Sequence, residues 1–302
     1  MAAISEARGS LQPGAPPLTG YRRTAARIAA VLNGRFLFSL IVLLLVLGFG
    51  FLLPGLLGRN QPLITVGGLY DAPSSTAWLG TDNFGRDVFT QLMYGTRTSL
   101  IIGSVAGLVA TLLGLVIGTL AGYVGGWIEE ALMAITNVVI TIPSIVILIL
   151  LALAINNRSI VVMGFIIGIT SWPWTARAVR AQASSLRTRE HVEIARLSGA
   201  GTLSIIVWEI IPFMLSYVVM AFVLQLSSGI LTEAALSMLG LGPSGNISLG
   251  IMLQWALLWE SVRTGAWWAF IPPALLLTLI AFSLLLLQSS IDEIFNPRLR
   301  RA

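Results

Sequence analysis

The stretch LRTREHVEIARLSGAGTLSIIVWEIIP, residues 186–212, is a charged segment between two long apolar runs. Its first half predicts a short helix from Thr188 to Leu197. Arg189 and Glu193 lie four residues apart, and Glu193 and Arg196 lie three apart, so both pairs can meet on one helix surface. Such a helix is either a handle for a soluble partner or an ordinary loop whose arginines set the topology of the chain.

The second half of the segment predicts a turn and then a new apolar helix. Gly199 and Gly201 permit the positive φ that ends a helix and redirects the chain. The apolar run that follows carries Pro212 near its start. We therefore expect a short helix with its glycine turn at about residues 187–201, joined directly to the next apolar segment.

The composition identifies an integral membrane protein. Of the 302 residues, 56% are hydrophobic and only 10% are charged, whereas a soluble domain carries about 25% charged residues. The apolar runs do not alternate with polar residues, as the strands of membrane β-barrels do. The predicted fold class is therefore an all-α membrane protein, whose helices cross the membrane.

Missing residue types exclude several kinds of chemistry. All 18 basic residues are arginine, so this chain lacks the lysine that the phosphate-binding loop for ATP requires. There is no cysteine, and His191 is the only histidine, which excludes a thiol nucleophile and a metal site with several histidine ligands. We expect no metal and no cofactor in this chain. The excess of arginine is attributed to membrane topology rather than to nucleic-acid binding.

Six apolar runs have about the 20 residues that a helix needs to cross a membrane. They are residues 36–57, 98–124, 131–155, 160–176, 210–231 and 267–287. Pro143 is expected to kink the third of them. The remaining divisions are a tail (1–35), an outer loop (58–97), a core of five spans (98–290) and a second tail (291–302). The basic end of the first tail is either an interfacial helix or a solvated lead-in.

The arginines predict which side of the membrane holds the termini. Six spans place both termini on one side, together with the charged segment. That side carries 13 arginines and the other side five. The larger group is Arg8, Arg22, Arg23, Arg27, Arg35, Arg177, Arg180, Arg187, Arg189, Arg196, Arg298, Arg300 and Arg301. Because basic residues are enriched in cytoplasmic segments, the termini and the charged segment are predicted to be cytoplasmic.

Glycines mark one face of the second span. Gly103, Gly107, Gly114, Gly118 and Gly122 are spaced by four, seven, four and four residues. Small residues at this spacing let two helices approach closely. A pore-lining role for this face is the alternative.

Two other classes of function have weaker support. Residues 242–245, GPSG, resemble the motif of some intramembrane serine proteases, but a serine nucleophile needs a nearby base. The histidine is predicted on the opposite side of the membrane. A self-sufficient carrier usually has ionisable groups at mid-membrane, whereas Glu209, Glu233 and Glu260 are expected at or beyond the span ends. Transport therefore needs an energy source outside this chain.

The charged segment resembles the EAA loop of bacterial ABC-importer permeases. That pattern reads E-A-A, three residues, G, nine residues, then I-x-L-P. Glu193, Ala195, Gly199, Ile211 and Pro212 match it in register. The departures within it are Ile194 and Glu209, which replace an alanine and an isoleucine, and His191, which replaces a tyrosine.

The flanking motifs are similar to one subfamily, the second or C-type permease subunit of dipeptide, oligopeptide and nickel importers. Residues 79–88, LGTDNFGRDV, match its LGTDxxGRDV motif, and residues 233–237 and 239–242 also fit. The resemblance runs from about Arg35 to the C-terminus. Other departures from the family pattern are Asn137, Gln182, Pro273, Glu293 and Asn296.

The resemblance implies a MetI-like permease fold with a cytoplasmic coupling helix. It also implies a subunit, not itself an enzyme, that forms half of a path for short peptides in the bacterial plasma membrane; nickel chelates and oligosaccharides are the alternatives. The implied partners are a B-type permease, two ATP-binding subunits that hold ATP and Mg, an extracytoplasmic binding protein and membrane lipid. The implied coupling residues are Arg189, Glu190, His191, Glu193, Ala195, Arg196, Gly199, Ala200 and Pro212. The implied outer-loop motif is Gly80, Thr81, Asp82, Gly85, Arg86 and Asp87.

Overall fold

A computed structural model describes residues 34–59, 61–155 and 157–295. Within these ranges the chain is helical apart from loops and two isolated bridges. Five of the described helices are long and apolar enough to cross a membrane, and a bent helix pair provides a sixth span if it is counted as one. The all-α, multi-span prediction is therefore confirmed. The predictions for residues 1–33 and 296–302 lie outside the described residues.

The helix bounds follow in chain order. They are α1 (Gly34–Leu56), α2 (Val88–Val124), α3 (Gly126–Thr141), α4 (Ser144–Ala154), α5 (Ile160–Leu186), α6 (Glu190–Leu197), α7 (Thr202–Met238), α8 (Leu249–Leu258) and α9 (Ile271–Phe295). A short 3₁₀ turn, Trp267–Ala269, precedes α9.

Three helices extend beyond the apolar runs predicted as spans, at four boundaries in all. Helix α2 begins at Val88 rather than at 98, since the Asp87 side chain caps it by accepting from the N–H groups of Phe89 and Thr90. Its first turns bury polar side chains such as Gln91, which packs inside the protein instead of facing lipid. Likewise α5 runs ten residues beyond 176, to Leu186. Helix α7 both begins earlier and ends later than 210–231.

The third span is broken rather than kinked. Helices α3 and α4 meet at an angle of 82° across a two-residue break. Ile142 is extended there (φ −84°, ψ 126°), as the residue before a proline prefers. Pro143 lacks the N–H that would continue the helix of α3. The predicted kink is therefore a complete interruption, and it is exposed on the surface of this chain.

Helix α2 is the centre of the bundle and packs most extensively against α5. A Cβ built on Gly114 would lie 2.6 Å from Thr175 Cβ, and one on Gly118 would lie 2.6 Å from both Ala176 O and Val179 Cβ. Only glycine permits such a close approach of two helix backbones. The predicted packing role of the glycine face is therefore confirmed for α2 and α5.

The other end of the same glycine face meets α7. A Cβ on Gly107 would lie 2.9 Å from the backbone N of Leu226, and Gly103 lies against Ile230. One face of α2 thus holds two further spans, α5 toward its C-terminal end and α7 toward its N-terminal end.

Both π-helical segments of the described chain lie immediately before a proline. Gly48–Leu52 precedes Pro54 in α1, and Ile206–Ile210 precedes Pro212 in α7. In each case the residue before the proline donates its N–H five residues back, Leu53 to Gly48 O and Ile211 to Ile206 O. Proline lacks an N–H and its ring crowds the carbonyl four residues earlier, so the wider turn accommodates it without breaking the helix.

Candidate functional site

The charged segment ends in a well-formed helix cap. Gly199 adopts φ +82°, in the left-handed region. Its N–H donates to Arg196 O at 3.1 Å, and the Ala200 N–H donates to Ala195 O at 3.1 Å. These two bonds are the Schellman pattern, which closes a helix and reverses the chain. The glycine predicted to end the charged helix therefore does so, for the conformational reason that the sequence indicates.

One apolar side chain seats α6 on the bundle. Val192 is fully buried, in a cluster with Ile205, Ile210 and Met214 of α7. Val179 and Ala183 of α5 and Tyr123 of α2 complete the cluster. Because close-packed interiors transmit displacement rather than absorb it, α6 and the adjoining ends of α5 and α7 form one mechanical unit.

The opposite face of α6 is exposed and mixed in character. Ile194 is 64% exposed and Leu197 is 84% exposed, and Glu193 and Arg196 lie beside them. The predicted pairing of Glu193 with Arg189 or Arg196 is not found among the ion pairs of the described chain. Two large apolar side chains and open charges on one short helix make a surface suited to a protein partner.

Two of the departures from the family pattern meet in the structure. The ring of His191 stacks on Phe213, with centroids 4.2 Å apart and planes 24° apart. Its Nε2 lies 3.2 Å from Glu209 O. His191 therefore joins α6 to the start of α7 by a side-chain contact. The partner Phe213 could not be identified from the sequence, because the wide π turn sets its direction.

An ion pair closes the same end of the bundle. Arg180 of α5 pairs with Glu129 of α3. The guanidinium of Arg196 lies 5.8 Å from the centroid of the Tyr123 ring, at the end of α2. Side chains from four helices thus surround the seat of α6. This end of the molecule is the first part of the candidate site.

The second part is a groove beside the α3–α4 break. It has a volume of about 440 Å³. Its polar lining comes from three helices and is uncharged: Ser144, Thr170, Ser171, Gln225, Ser228 and Thr232. A second opening of about 460 Å³ shares Ser144, Ser228 and Thr232 and extends along α7. Because the two openings share these residues, their uncharged polar side chains form one neutral polar strip.

Gln225 is held in a fixed orientation in this strip. Its Nε2 donates to Ser171 O at 3.0 Å and to Thr175 Oγ1 at 2.7 Å. Both acceptors belong to α5, so the amide ties α5 to α7. The groove walls are therefore the same two helices on which α6 is seated.

The outer-loop motif forms a compact network of hydrogen bonds and ion pairs. Asp82 is 5% exposed. Its Oδ1 accepts from the N–H groups of Phe84 and Arg86, both at 2.8 Å, and its Oδ2 accepts from Gln91 Nε2 at 2.7 Å. Arg86 Nε lies 3.3 Å from Asp82 Oδ2. Burial lowers the pKa of the Arg86 guanidinium, and the carboxylate of Asp82 acts against that shift.

The rest of the motif fastens the loop to α2 and to the 3₁₀ turn that precedes α9. Asp87 pairs with Arg59 and accepts from Thr90 Oγ1 at 2.5 Å. Trp268 Nε1 donates to Thr81 O at 3.0 Å. Gly80 (φ +68°) and Gly85 (φ +71°) occupy the left-handed region. The motif residues therefore hold the outer loop against the bundle, and most of their side chains are buried.

Two further predictions concern acids and enzyme chemistry. Glu233 was expected at a span end, but it lies inside α7, fully buried, and accepts from Ser99 Oγ at 3.0 Å and Ser237 Oγ at 2.6 Å. Ser244, the serine of GPSG, lies in a turn, where its N–H donates to Arg158 O at 2.8 Å. Within the described ranges no group of His, Cys, Asp or Glu is arranged to hold a metal ion.

A multi-span bundle with a polar groove, and with an exposed short helix seated on the groove walls, defines a membrane permease. Residues 114–301 match the family model described as binding-protein-dependent transport system inner membrane component. The chain belongs to this family and is the permease subunit of an ABC importer rather than an enzyme.

Named relatives and one solved structure agree with this assignment. The chain is 32% identical over 233 residues to the dipeptide transport system permease protein DppC of Bacillus subtilis (strain 168), covering 76% of this chain and 71% of the relative. It is 29% identical over 281 residues to the oligopeptide transport system permease protein OppC of Mycobacterium bovis, covering 92% and 96%. A chain of the MetNI methionine ABC transporter, in inward-facing conformations, superposes with a TM-score of 0.54 at 17% identity, covering 68% of this chain and 96% of that one. This superposition confirms the MetI-like fold.

Proposed function

We propose that this permease forms half of a translocation path for short peptides and couples their uptake to ATP hydrolysis on partner subunits. The observation that carries the proposal is the seating of α6. Val192 fixes α6 to the ends of α5 and α7, and the same two helices form the groove that contains Gln225 and Ser228. A push on α6 therefore moves the groove walls as a rigid unit.

The proposed partners are inferred from the missing lysine and from the exposed face of α6. Because the chain lacks the lysine of a phosphate-binding loop, the proposal places ATP and its Mg ion on two partner subunits. The exposed face of α6, including Glu193, Ile194 and Leu197, is the docking surface for one of them. The interrupted helix at Pro143 leaves the groove open at the surface of this chain, and a homologous B-type permease would complete it.

A peptide cargo agrees with the neutral polar strip. Hydroxyl and amide groups such as Ser144, Gln225 and Thr232 satisfy backbone N–H and C=O groups whatever the side chains of the cargo. No charged group lines the strip to select or repel a charged side chain. The names of the relatives refer to dipeptides and oligopeptides. Hydroxyl-rich oligosaccharides and nickel chelates are the alternative cargoes.

The proposed orientation puts the termini and α6 in the cytoplasm of a bacterium. The arginine distribution supports it, with 13 of 18 on that side. The outer-loop motif around Asp82 then faces the extracytoplasmic side, where a substrate-loaded binding protein docks. We assign the motif residues to holding this surface in place.

Purification and reconstitution test the proposal. The chain, expressed with its permease and ATPase partners, should co-purify with both and hydrolyse ATP faster when the substrate-loaded binding protein is added. Uptake of labelled di- and tripeptides into proteoliposomes should require ATP and all components. Peptide transport by this chain alone would contradict the coupling role. Uptake of an oligosaccharide or a nickel chelate in place of peptides would overturn only the cargo assignment.

A further inference from the structure

Arg158 lies in the short turn between α4 and α5, at the end of the molecule opposite α6. Its backbone O accepts from Ser244 N at 2.8 Å, so the turn is fastened to the loop between α7 and α8. Helix α5 begins two residues later, with Ser159 as its cap. The position of this arginine is thus set by backbone contacts rather than by its own charge.

The side chain of Arg158 has no counter-ion among the described residues. No ion pair, hydrogen bond or aromatic ring engages its guanidinium, and its Nε is shielded from solvent without an acceptor. The Nε atoms of Arg86 and Arg180 are shielded in the same way, but both of these arginines pair with a carboxylate, as Arg59 does. Shielding a charged donor without a partner is unfavourable, and an anion at this place would relieve the cost.

A cavity of about 260 Å³ adjoins this side chain. Arg158 and Arg86 line it together with the polar residues Ser244, Asn246 and Gln254. No aspartate or glutamate is among its lining residues, although Asp82 pairs with Arg86 nearby. The cavity therefore presents one uncompensated positive charge and several neutral polar groups, which is the chemistry that receives a carboxylate.

The place of the cavity distinguishes it from the transport groove. None of its lining residues lines the groove beside the α3–α4 break. Its walls come from the outer loop, from the glycine-rich loop 240–247 and from the short helix α8, rather than from the side of a span that faces lipid. The cavity is thus a separate site from the groove, placed among the outer loops.

We propose that this cavity receives an acidic side chain of the docked extracytoplasmic binding protein, with Arg158 as the pairing residue. The inference rests on the proposed function and deepens it, because it identifies a docking contact. Arginine suits this task, since its planar guanidinium binds a carboxylate through two parallel hydrogen bonds.

The contact also has a direct route to the ATPase side. Helix α5 starts next to Arg158 and has 27 residues, which corresponds to a length of about 40 Å at the rise of an α-helix. Its last turns contribute Val179 and Ala183 to the cluster that seats α6. A docked acid therefore pulls on the first turn of the same helix whose last turns hold the coupling helix.

The test uses the complete transporter in nanodiscs with its substrate-loaded binding protein as the titrant. Arg158→Gln should raise the binding-protein concentration for half-maximal ATPase stimulation by about tenfold, the size expected for loss of one charge pair at an interface. The half-maximal concentration for Arg158→Lys should fall between those of the parent and of Arg158→Gln. Arg263→Gln is the matched control, because Arg263 is exposed and already pairs with Glu260.

A charge exchange completes the test. Arg158→Glu should be rescued by a binding protein in which one acidic surface residue is replaced by arginine, and by no other such variant. An unchanged half-maximal concentration for Arg158→Gln overturns the inference. An effect that appears only in vesicles of anionic lipid also overturns it and assigns the cavity to a lipid headgroup. If the parent complex itself shows no stimulation by the binding protein, the proposed function fails, which is a distinguishable result.

Discussion

His191 of α6 stacks on Phe213 of α7, with ring centroids 4.2 Å apart, and this contact lies beside the exposed surface proposed to meet the ATPase. The two residues are 22 positions apart in sequence. The stack therefore connects α6 to α7, one of the helices that line the groove.

Removing the stack should loosen coupling without unfolding the protein. In His191→Ala the aromatic contact, worth about 0.5–1.5 kcal/mol, is lost at a half-exposed site. We expect the ratio of peptide uptake to ATP hydrolysis in proteoliposomes to fall several-fold, with expression unchanged. His191→Tyr keeps an aromatic ring and should retain the parent ratio. Equal ratios for all three proteins would disprove a coupling role for the stack.

The glycine that ends α6 should be sensitive for conformational reasons alone. A Cβ on Gly199 meets nothing within 4 Å, but its φ of +82° is strained for alanine. Gly199→Ala should therefore destabilise the helix cap by about 1–2 kcal/mol. It should also weaken co-purification of the ATPase. The matched control is Gly201→Ala, because Gly201 also has open space around it but has φ −71°. Loss of the ATPase in both variants would contradict the cap as the cause.

Glu193 is exposed and unpaired within the described chain, so its replacement should spare the fold. Glu193→Ala should lower ATPase co-purification or ATPase-coupled uptake at least several-fold. The free energy of unfolding of the isolated permease should stay within about 0.5 kcal/mol of the parent value. Glu130→Ala removes another exposed carboxylate near the same end of the bundle and serves as the control. Parent-like assembly and uptake in Glu193→Ala would remove Glu193 from the docking surface.

Packing of α2 against α5 predicts a stability effect. In Gly118→Ala the new Cβ would lie 2.6 Å from Ala176 O, and the backbone there cannot move without parting the helices. We expect destabilisation of about 1–3 kcal/mol, measured as a lower unfolding temperature in detergent. Gly55→Ala is the control, since nothing lies within 4 Å of that position. A parent-like Gly118→Ala would show that the two helices are not in contact in the membrane.

The hydrogen-bond network of the outer loop predicts a large loss of stability when Asp82 is replaced. Asp82→Ala leaves the buried Gln91 amide and the Arg86 guanidinium without their acceptor, which should cost about 3–5 kcal/mol. Limited proteolysis should then cleave within residues 61–87, where the parent resists. Glu260→Gln breaks a pair whose arginine side chain is 82% exposed, and it should have almost no effect.

Much of the fold follows from local patterns in the sequence. The glycine spacing of α2 predicts close packing because a missing side chain has the same consequence wherever the partner helix comes from. Gly199 and the charges around it predict a capped helix because both signals act within one turn. These parts depend on neighbours in sequence, and the structure confirms them.

The parts that were missed depend on neighbours in space. Gln91 looks like a loop residue until Asp82 is placed beside it, so the start of α2 was predicted ten residues too late. Glu233 looks like a span-end acid until Ser99 and Ser237 are seen to donate to it. In both cases a polar residue is buried because its partner comes from a distant segment, and hydropathy along the chain carries no record of that partner.

The π turn at Ile206–Ile210 sets the azimuth of α7. One extra residue in a turn rotates everything beyond it by about 100° about the helix axis. Ile206 and Ile210 within the turn pack in the cluster that seats α6, and Gln225 and Ser228 beyond it line the groove. A one-residue deletion among residues 206–210 would therefore rotate the groove's polar strip away from the groove, and it would also displace Phe213 and Met214 from their contacts at α6.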